Sequence, residues 1–146
     1  MTEFRIIEAA ALLGVSDDTV RRWGDAGRLT IRKAANGRQV VDGVDLVPFM
    51  TDAAAESPMA TAFPVARASA RNRFTGIVTA VTKDGVMAQV ELQAGPFRVV
   101  SLMSREAADE LDLVPGMLAV ATVKATVVAV ELLDHHLTLP ASEENA

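Results

Sequence analysis

Six basic side chains crowd into one stretch of the chain: Arg21, Arg22, Arg28, Arg32, Lys33 and Arg38, with Asp25 as the only acid between the first and the last. The chain as a whole carries a formal net charge of −5, so this block reverses the sign of its surroundings. A local reversal of that kind suggests an anionic partner at one place. Guanidinium groups offer a planar fork of donors that matches phosphate oxygens or the edge of guanine, and Lys33 would act as a point charge. Catalytic chemistry finds little material. There is no cysteine, which removes thiolate nucleophiles, thiolate metal sites and disulfides. The only imidazoles are His135 and His136, which read as a polar pair at the end of a strand rather than as parts of a relay or a metal cage. The chain is therefore expected not to be an enzyme and to hold no metal cation.

The elements that must position the block follow from spacing. Ile6, Ala10 and Leu13 recur at helical intervals and Gly14 ends the run. Ser16 stands where an N-cap belongs, and Asp17 and Asp18 fill a first turn, where the helix dipole favours acids. A second helix then runs through Thr19-Val20-Arg21-Arg22-Trp23 and stops near Gly24 or Gly27, with Val20 and Trp23 on its inner face. Two helices joined through Gly14-Val15-Ser16 make a helix-turn-helix hairpin. Beyond it, residues 29–33 and 38–41 flank Ala34-Ala35-Asn36-Gly37, and an Asn-Gly turn between extended segments predicts a hairpin that holds out Arg32, Lys33 and Arg38 as a basic wing. Asp42 is expected to cap a short helix through residues 45–50, which Pro48 bends or shortens. Helix and wing together imply double-stranded DNA as partner. The second helix would enter the major groove with Asp17, Asp18, Thr19, Arg21 and Arg22 on its exposed face, while the wing would hold phosphates.

The run from Glu8 to Trp23, Glu-Ala-Ala-Ala-Leu-Leu-Gly-Val-Ser-Asp-Asp-Thr-Val-Arg-Arg-Trp, followed by Gly27-Arg28-Leu29, resembles the MerR/excisionase-type winged helix-turn-helix. The resemblance implies a protein that reads DNA, usually as a dimer. The long dimerising coiled coil of full-length MerR regulators does not follow it here, so a second module is expected to supply the symmetry.

With 146 residues and 15.5 kDa, the chain has room for two very small modules. Half of the residues are apolar, enough for cores, and no run of about 18 apolar residues argues for a membrane span. The start, Met1-Thr2-Glu3-Phe4-Arg5, has no basic region followed by an apolar one, so no secretory signal is expected. The reading is a winged helix-turn-helix at 1–50, a linker at 51–66 containing two prolines and no steady period, a β-rich module at 67–140, and a frayed tail at 141–146. In the β-rich part, residues 74–82 read as a strand. Val86, Ala88, Val90 and Leu92 then alternate with Met87, Gln89 and Glu91, and residues 97–102, 118–123 and 126–132 complete five strands. Ser104 is expected to cap a short helix from Arg105 to Leu111. The fold class is thus α+β, a small winged helix-turn-helix followed by an OB-like five-stranded barrel. Phe74 and Phe97 are the only rings in the barrel, too few for base stacking.

Ser69-Ala70-Arg71-Asn72, Gly76-Ile77-Val78 and Val123-Lys124-Ala125-Thr126-Val127-Val128 resemble the molybdenum-pterin-binding domain, the Mop or molbindin-type TOBE domain. The resemblance implies molybdate or tungstate held at a subunit interface. Ser69 and Arg71 of one chain would meet Ser104, Lys124 and Ala125 of its neighbour, with Asn72 and Thr126 in the same motifs. The chemistry is sound in its own terms, because a tetrahedral dianion needs convergent hydroxyls, amides and cations. One departure stands out. The family commonly carries a hydroxyl three positions after the residue matched by Ser104, and here that position is Ala107, at a cost of about tenfold or more in affinity.

The combined expectation is a cytoplasmic regulator of transcription that reads double-stranded DNA. It would bind molybdenum only as molybdate, or tungstate, and assemble as a homo-oligomer, a dimer or a larger ring such as a hexamer, without contacting a membrane. Two other readings stay open: a molybdate store or buffer with a vestigial DNA module, and a DNA-binding protein that uses the barrel only to oligomerise.

Overall fold

The computed structural model describes residues 2–63 and 67–133. They fall into two compact units, one in each stretch, each with its own core.

The first unit mixes helices with a small sheet: β1 (Glu3–Arg5), α1 (Ile6–Leu13), α2 (Asp17–Asp25), β2 (Arg32–Lys33), β3 (Gln39–Asp42), α3 (Gly43–Ala55) and α4 (Pro58–Ala62). A reciprocal cap starts α1. The Arg5 amide donates to Glu8 Oε2 at 2.8 Å and its guanidinium to Oε1 at 3.0 Å, which satisfies a carboxylate that is only 8% exposed. Gly14, at φ +70°, ends the helix in the left-handed conformation that a Cβ would strain. Ser16 Oγ then accepts the Thr19 amide at 3.2 Å to open α2, as its place in the sequence predicts. Ile6, Ala9, Ala10, Val20, Leu29, Val41 and Leu46 form the core, with Trp23 and Phe49 packed against it. The sheet order is β1-β3-β2, all antiparallel, with Phe4 opposite Val41 and Arg32 opposite Val40.

Three features of this unit differ from expectation. Asp42 occupies the N-cap position of α3 without a capping hydrogen bond, because its carboxylate is engaged by Arg32. Pro48 does not stop α3, which continues to Ala55; a proline there removes one ladder bond and the following turns form regardless. The stretch read as a linker is largely helical, since residues 51–55 belong to α3 and α4 follows, capped by Ser57 Oγ on the Ala60 amide at 3.3 Å. Alanine is the best helix former and needs no apolar period to do this.

The second unit contains β4 (Asn72–Lys83), β5 (Met87–Ala94), β6 (Phe97–Ser104), α5 (Arg105–Glu110) and β7 (Leu118–Val123). Its four strands are antiparallel in the order β6-β5-β4-β7. Val78, Val90 and Leu92 are the fully covered members of one face, with Val99, Met103 and Ala119 against them. Gly76 marks where the sheet folds over: a Cβ there would lie 2.3 Å from the Gln93 carbonyl oxygen. A register shift between Val78 and Ala80 sharpens the bend. Asp84 turns β4 into β5 by accepting the amides of Val86 and Met87 at 2.8 and 2.7 Å, and those bonds hold its carboxyl below the usual range.

The expected fifth strand, 126–132, is not one here. A single 3-10 turn, Ala125–Val127, follows β7, and residues 128–133 pair with no strand. Their apolar side chains stand in the open, Val130 at 87% and Leu132 at 96% exposure. The unit is therefore a curled four-stranded sheet, with an apolar trough of about 330 Å³ bordered by Leu92, Val99, Met103, Leu113 and Ala121. No helix among the described residues is long and apolar enough to cross a membrane. His135, His136 and the tail at 141–146 lie outside the described residues.

Candidate functional site

The basic block sorts into engaged and available charges. Arg32 is engaged: its Nε and Nη2 reach Asp42 at 2.8–3.1 Å, and Nη2 also binds Glu3. The hydrogen bonds it donates to Asp42 and then to Glu3 push the guanidinium's pKa further up, and Arg32 in turn holds the Asp42 carboxyl below its ordinary value. This cluster ties β1, β3 and β2 together. Of the other five cations, none pairs with a carboxylate among the described residues. Arg21 Nη1 donates to Gln39 Oε1 at 2.9 Å, linking α2 to β3. Arg22 Nη2 donates to Thr19 Oγ1 at 3.2 Å, and Thr19 also meets Ser16 Oγ at 2.9 Å. Lys33 and Arg38 are exposed around the Asn36-Gly37 turn, as are Asp17 and Asp18 at the start of α2. One residue escaped the sequence reading. Gln39, which steadies Arg21, is eighteen positions away, and nothing local signals the pair. Arg28 lies over the rings of Trp23 and Phe49.

In the second unit, strand pairing gathers two distant motifs. Asn72 at the start of β4 is opposite Val123 at the end of β7, and Asn72 Nδ2 donates to the Val123 carbonyl at 3.1 Å. Ser69 and Arg71 therefore enter, and Lys124, Ala125 and Thr126 leave, at the same end of the β4–β7 pair. Ser69, Arg71, Lys124, Ala125 and Thr126 are all exposed, and Asn72 is half-buried. Neither Arg71 nor Lys124 pairs with an acid among the described residues. Two cations, two hydroxyls and a side-chain amide thus share one solvent-facing place, a donor set that fits a small tetrahedral anion.

Ser104 is elsewhere. It is opposite Met87, beyond the end of β4 where Lys83 meets Ala88, a strand length of about 36 Å from Asn72 at ~3.3 Å per residue. Its Oγ accepts the Ala107 amide at 3.1 Å as the cap of α5. That bond uses a lone pair and leaves the Ser104 O–H as a donor, while Ala107 offers neither side chain nor amide. One chain thus joins Ser69, Arg71 and Asn72 to Lys124, Ala125 and Thr126, and it leaves Ser104 apart from both. Among the described residues no group of histidine, cysteine or acids is arranged to hold a metal ion.

The curled antiparallel β-unit thus carries these donors at one end of its β4–β7 pair. Residues 68–137 match the TOBE domain family. A molybdate-binding protein from Sporomusa ovata is 31% identical, aligned over 46% of this chain and all of that one, with a TM-score of 0.44. MopII from Clostridium pasteurianum is 34% identical over 45% of this chain and all of its own, with a TM-score of 0.43. None of the curated proteins matches the chain significantly. With identities above 30% across the whole of each relative, the chain belongs to the TOBE family, and its second unit is a Mop-type TOBE domain.

Proposed function

We propose that the chain is a molybdate- or tungstate-responsive DNA-binding regulator that works in the cytoplasm as a binding protein, not an enzyme. The observation that carries the oxyanion half is the meeting of Ser69, Arg71 and Asn72 with Lys124, Ala125 and Thr126 at one end of the β4–β7 pair, in a domain akin to a molybdate-binding protein. A second copy would add Ser104, which no single chain brings to that place. The same copy would accept residues 128–132, whose Val128, Val130 and Leu132 alternate like one face of a strand and are 45%, 87% and 96% exposed. Seated along the apolar trough of a neighbour, they would supply the fifth strand and make the homo-oligomer.

The DNA half rests on the charges that no acid neutralises among the described residues. As a winged helix-turn-helix, the first unit would place Asp17, Asp18, Thr19, Arg21 and Arg22 toward the major groove and set Lys33 and Arg38 on phosphates, with Arg32 holding the wing together. Molybdate would alter DNA affinity only by favouring one arrangement of subunits over another. Calorimetric titration with molybdate, sulfate as control and light scattering for subunit number, tests the oxyanion reading. Saturable heat at a fixed ratio per subunit, lost in Lys124→Ala, is expected; no heat from a stable oligomer would leave the domain as scaffolding. A store with a vestigial DNA module is the second reading, favoured by the fact that the second unit alone spans the whole of both relatives. It predicts molybdate uptake with no duplex bound at any salt concentration.

A further inference from the structure

Arg28 follows α2 through Gly27, whose φ of +72° turns the chain sharply. Its Cζ lies 5.8 Å from the ring centre of Trp23 and 5.7 Å from that of Phe49, and the two rings are 4.6 Å apart at 49°. The backbone amide of Arg28 is already used, donating to the Trp23 carbonyl at 2.9 Å. The guanidinium is not: it has no carboxylate partner among the described residues, and Asp25 at the end of α2 makes no ion pair with it. The guanidinium's Cζ is within cation–π range of both rings, a contact that uses none of its N–H groups, and no hydrogen bond from its side chain is made among the described residues. If closing the Trp23–Phe49 pair against water were the only task, leucine or methionine would do it without an uncompensated charge.

We propose that Arg28 is a phosphate-binding residue for duplex DNA, held in place by Trp23 and Phe49. This rests on the DNA-binding reading of the first unit. A helix inserted in the major groove has a sugar-phosphate backbone running past its ends, and Arg28 stands just beyond the C-terminal end of the helix that carries Arg21 and Arg22. The two rings restrict the arginine before any DNA arrives, which lowers the ordering cost of the contact. Phosphate contacts fix position without reading sequence, so Arg28 contributes affinity and register, not operator choice.

The test is binding of the full-length protein to a labelled mixed-sequence duplex across a salt series, with wild type, Arg28→Ala, Arg28→Leu and Arg28→Lys compared and folding checked by circular dichroism. One lost phosphate contact lowers the slope of log K against log salt by about 0.9 and weakens binding about tenfold at low salt. That is the result expected for the alanine and leucine variants, whereas the lysine variant keeps the slope with weaker binding. The chain has one tryptophan, so DNA should change Trp23 emission in wild type and change it much less in Arg28→Leu. If Arg28→Leu binds with the wild-type slope, the inference is wrong and Arg28 is a packing residue. If wild type binds no duplex even at low salt, the DNA reading itself fails. Should the alanine variant not fold, the leucine and lysine variants carry the comparison.

Discussion

Arg32 and Lys33 are consecutive on one short strand and carry the same charge, yet they are committed in opposite ways. Arg32 spends its donors on Asp42 and Glu3, while Lys33 is exposed and unpaired among the described residues. Arg32→Ala is therefore expected to lower the melting temperature of the first unit and leave the salt slope of DNA binding nearly unchanged. Lys33→Ala should do the reverse, lowering the slope by about 0.9 with melting intact; equal slopes for both variants would show that the wing does not meet phosphate. Composition identified the basic block but not this division, because the pairing of Arg32 with Glu3 spans twenty-nine positions. The residues proposed for the oxyanion are legible as motifs, and what strand register adds is the grouping, with Ser104 apart. Ser104→Ala should cost about 1 kcal/mol through the lost helix cap, measurable in urea with no molybdate present. An additional loss of molybdate affinity beyond that would place its hydroxyl at the ligand.

Local chemistry made most elements readable, and the exceptions share a cause. The capped helices, the Asn36-Gly37 hairpin and the alternation in β5 each carry their own signal within a few residues. Strand β1 has only Glu3, Phe4 and Arg5, too short to display a period, and it exists because β3 needs a partner on that side. Residues 126–132 fail the other way. They carry the pattern of a strand, and a strand forms only where a free edge receives it. Replacing Val130 or Leu132 with aspartate should then leave the folded domain intact and shift the assembly toward monomer by light scattering; an unchanged oligomer would exclude strand exchange. The bend in β4 has a separate test. Gly76→Ala puts a methyl 2.3 Å from the Gln93 carbonyl oxygen, so β4 and β5 must part. A loss of about 1–3 kcal/mol is expected from overpacking of this kind, read from the urea midpoint.

At the scale of the molecule, the two units have separate cores and separate acid-sensitive bonds. Asp42 in the first unit is lowered by Arg32. In the second, Asp84 is lowered by the amides of Met87 and Val86, Glu91 by Arg98 and Asp109 by Lys83. A carboxyl whose folded pKa lies below its unfolded one binds protons more readily once unfolded as the medium acidifies. Its contribution is present in full above the unfolded value of about 4 and is lost as pH falls through the folded value. Both units should therefore hold a level melting temperature through neutral pH and lose stability below about pH 4. The only tryptophan is in the first unit, so Trp23 fluorescence follows that unit while far-ultraviolet circular dichroism follows both. In Asp42→Asn the fluorescence transition should begin lower at neutral pH and depend less on acid, with the β-unit's acid profile unmoved. If the two signals instead shift together in that variant, the units unfold as one cooperative body and the separate cores do not act separately.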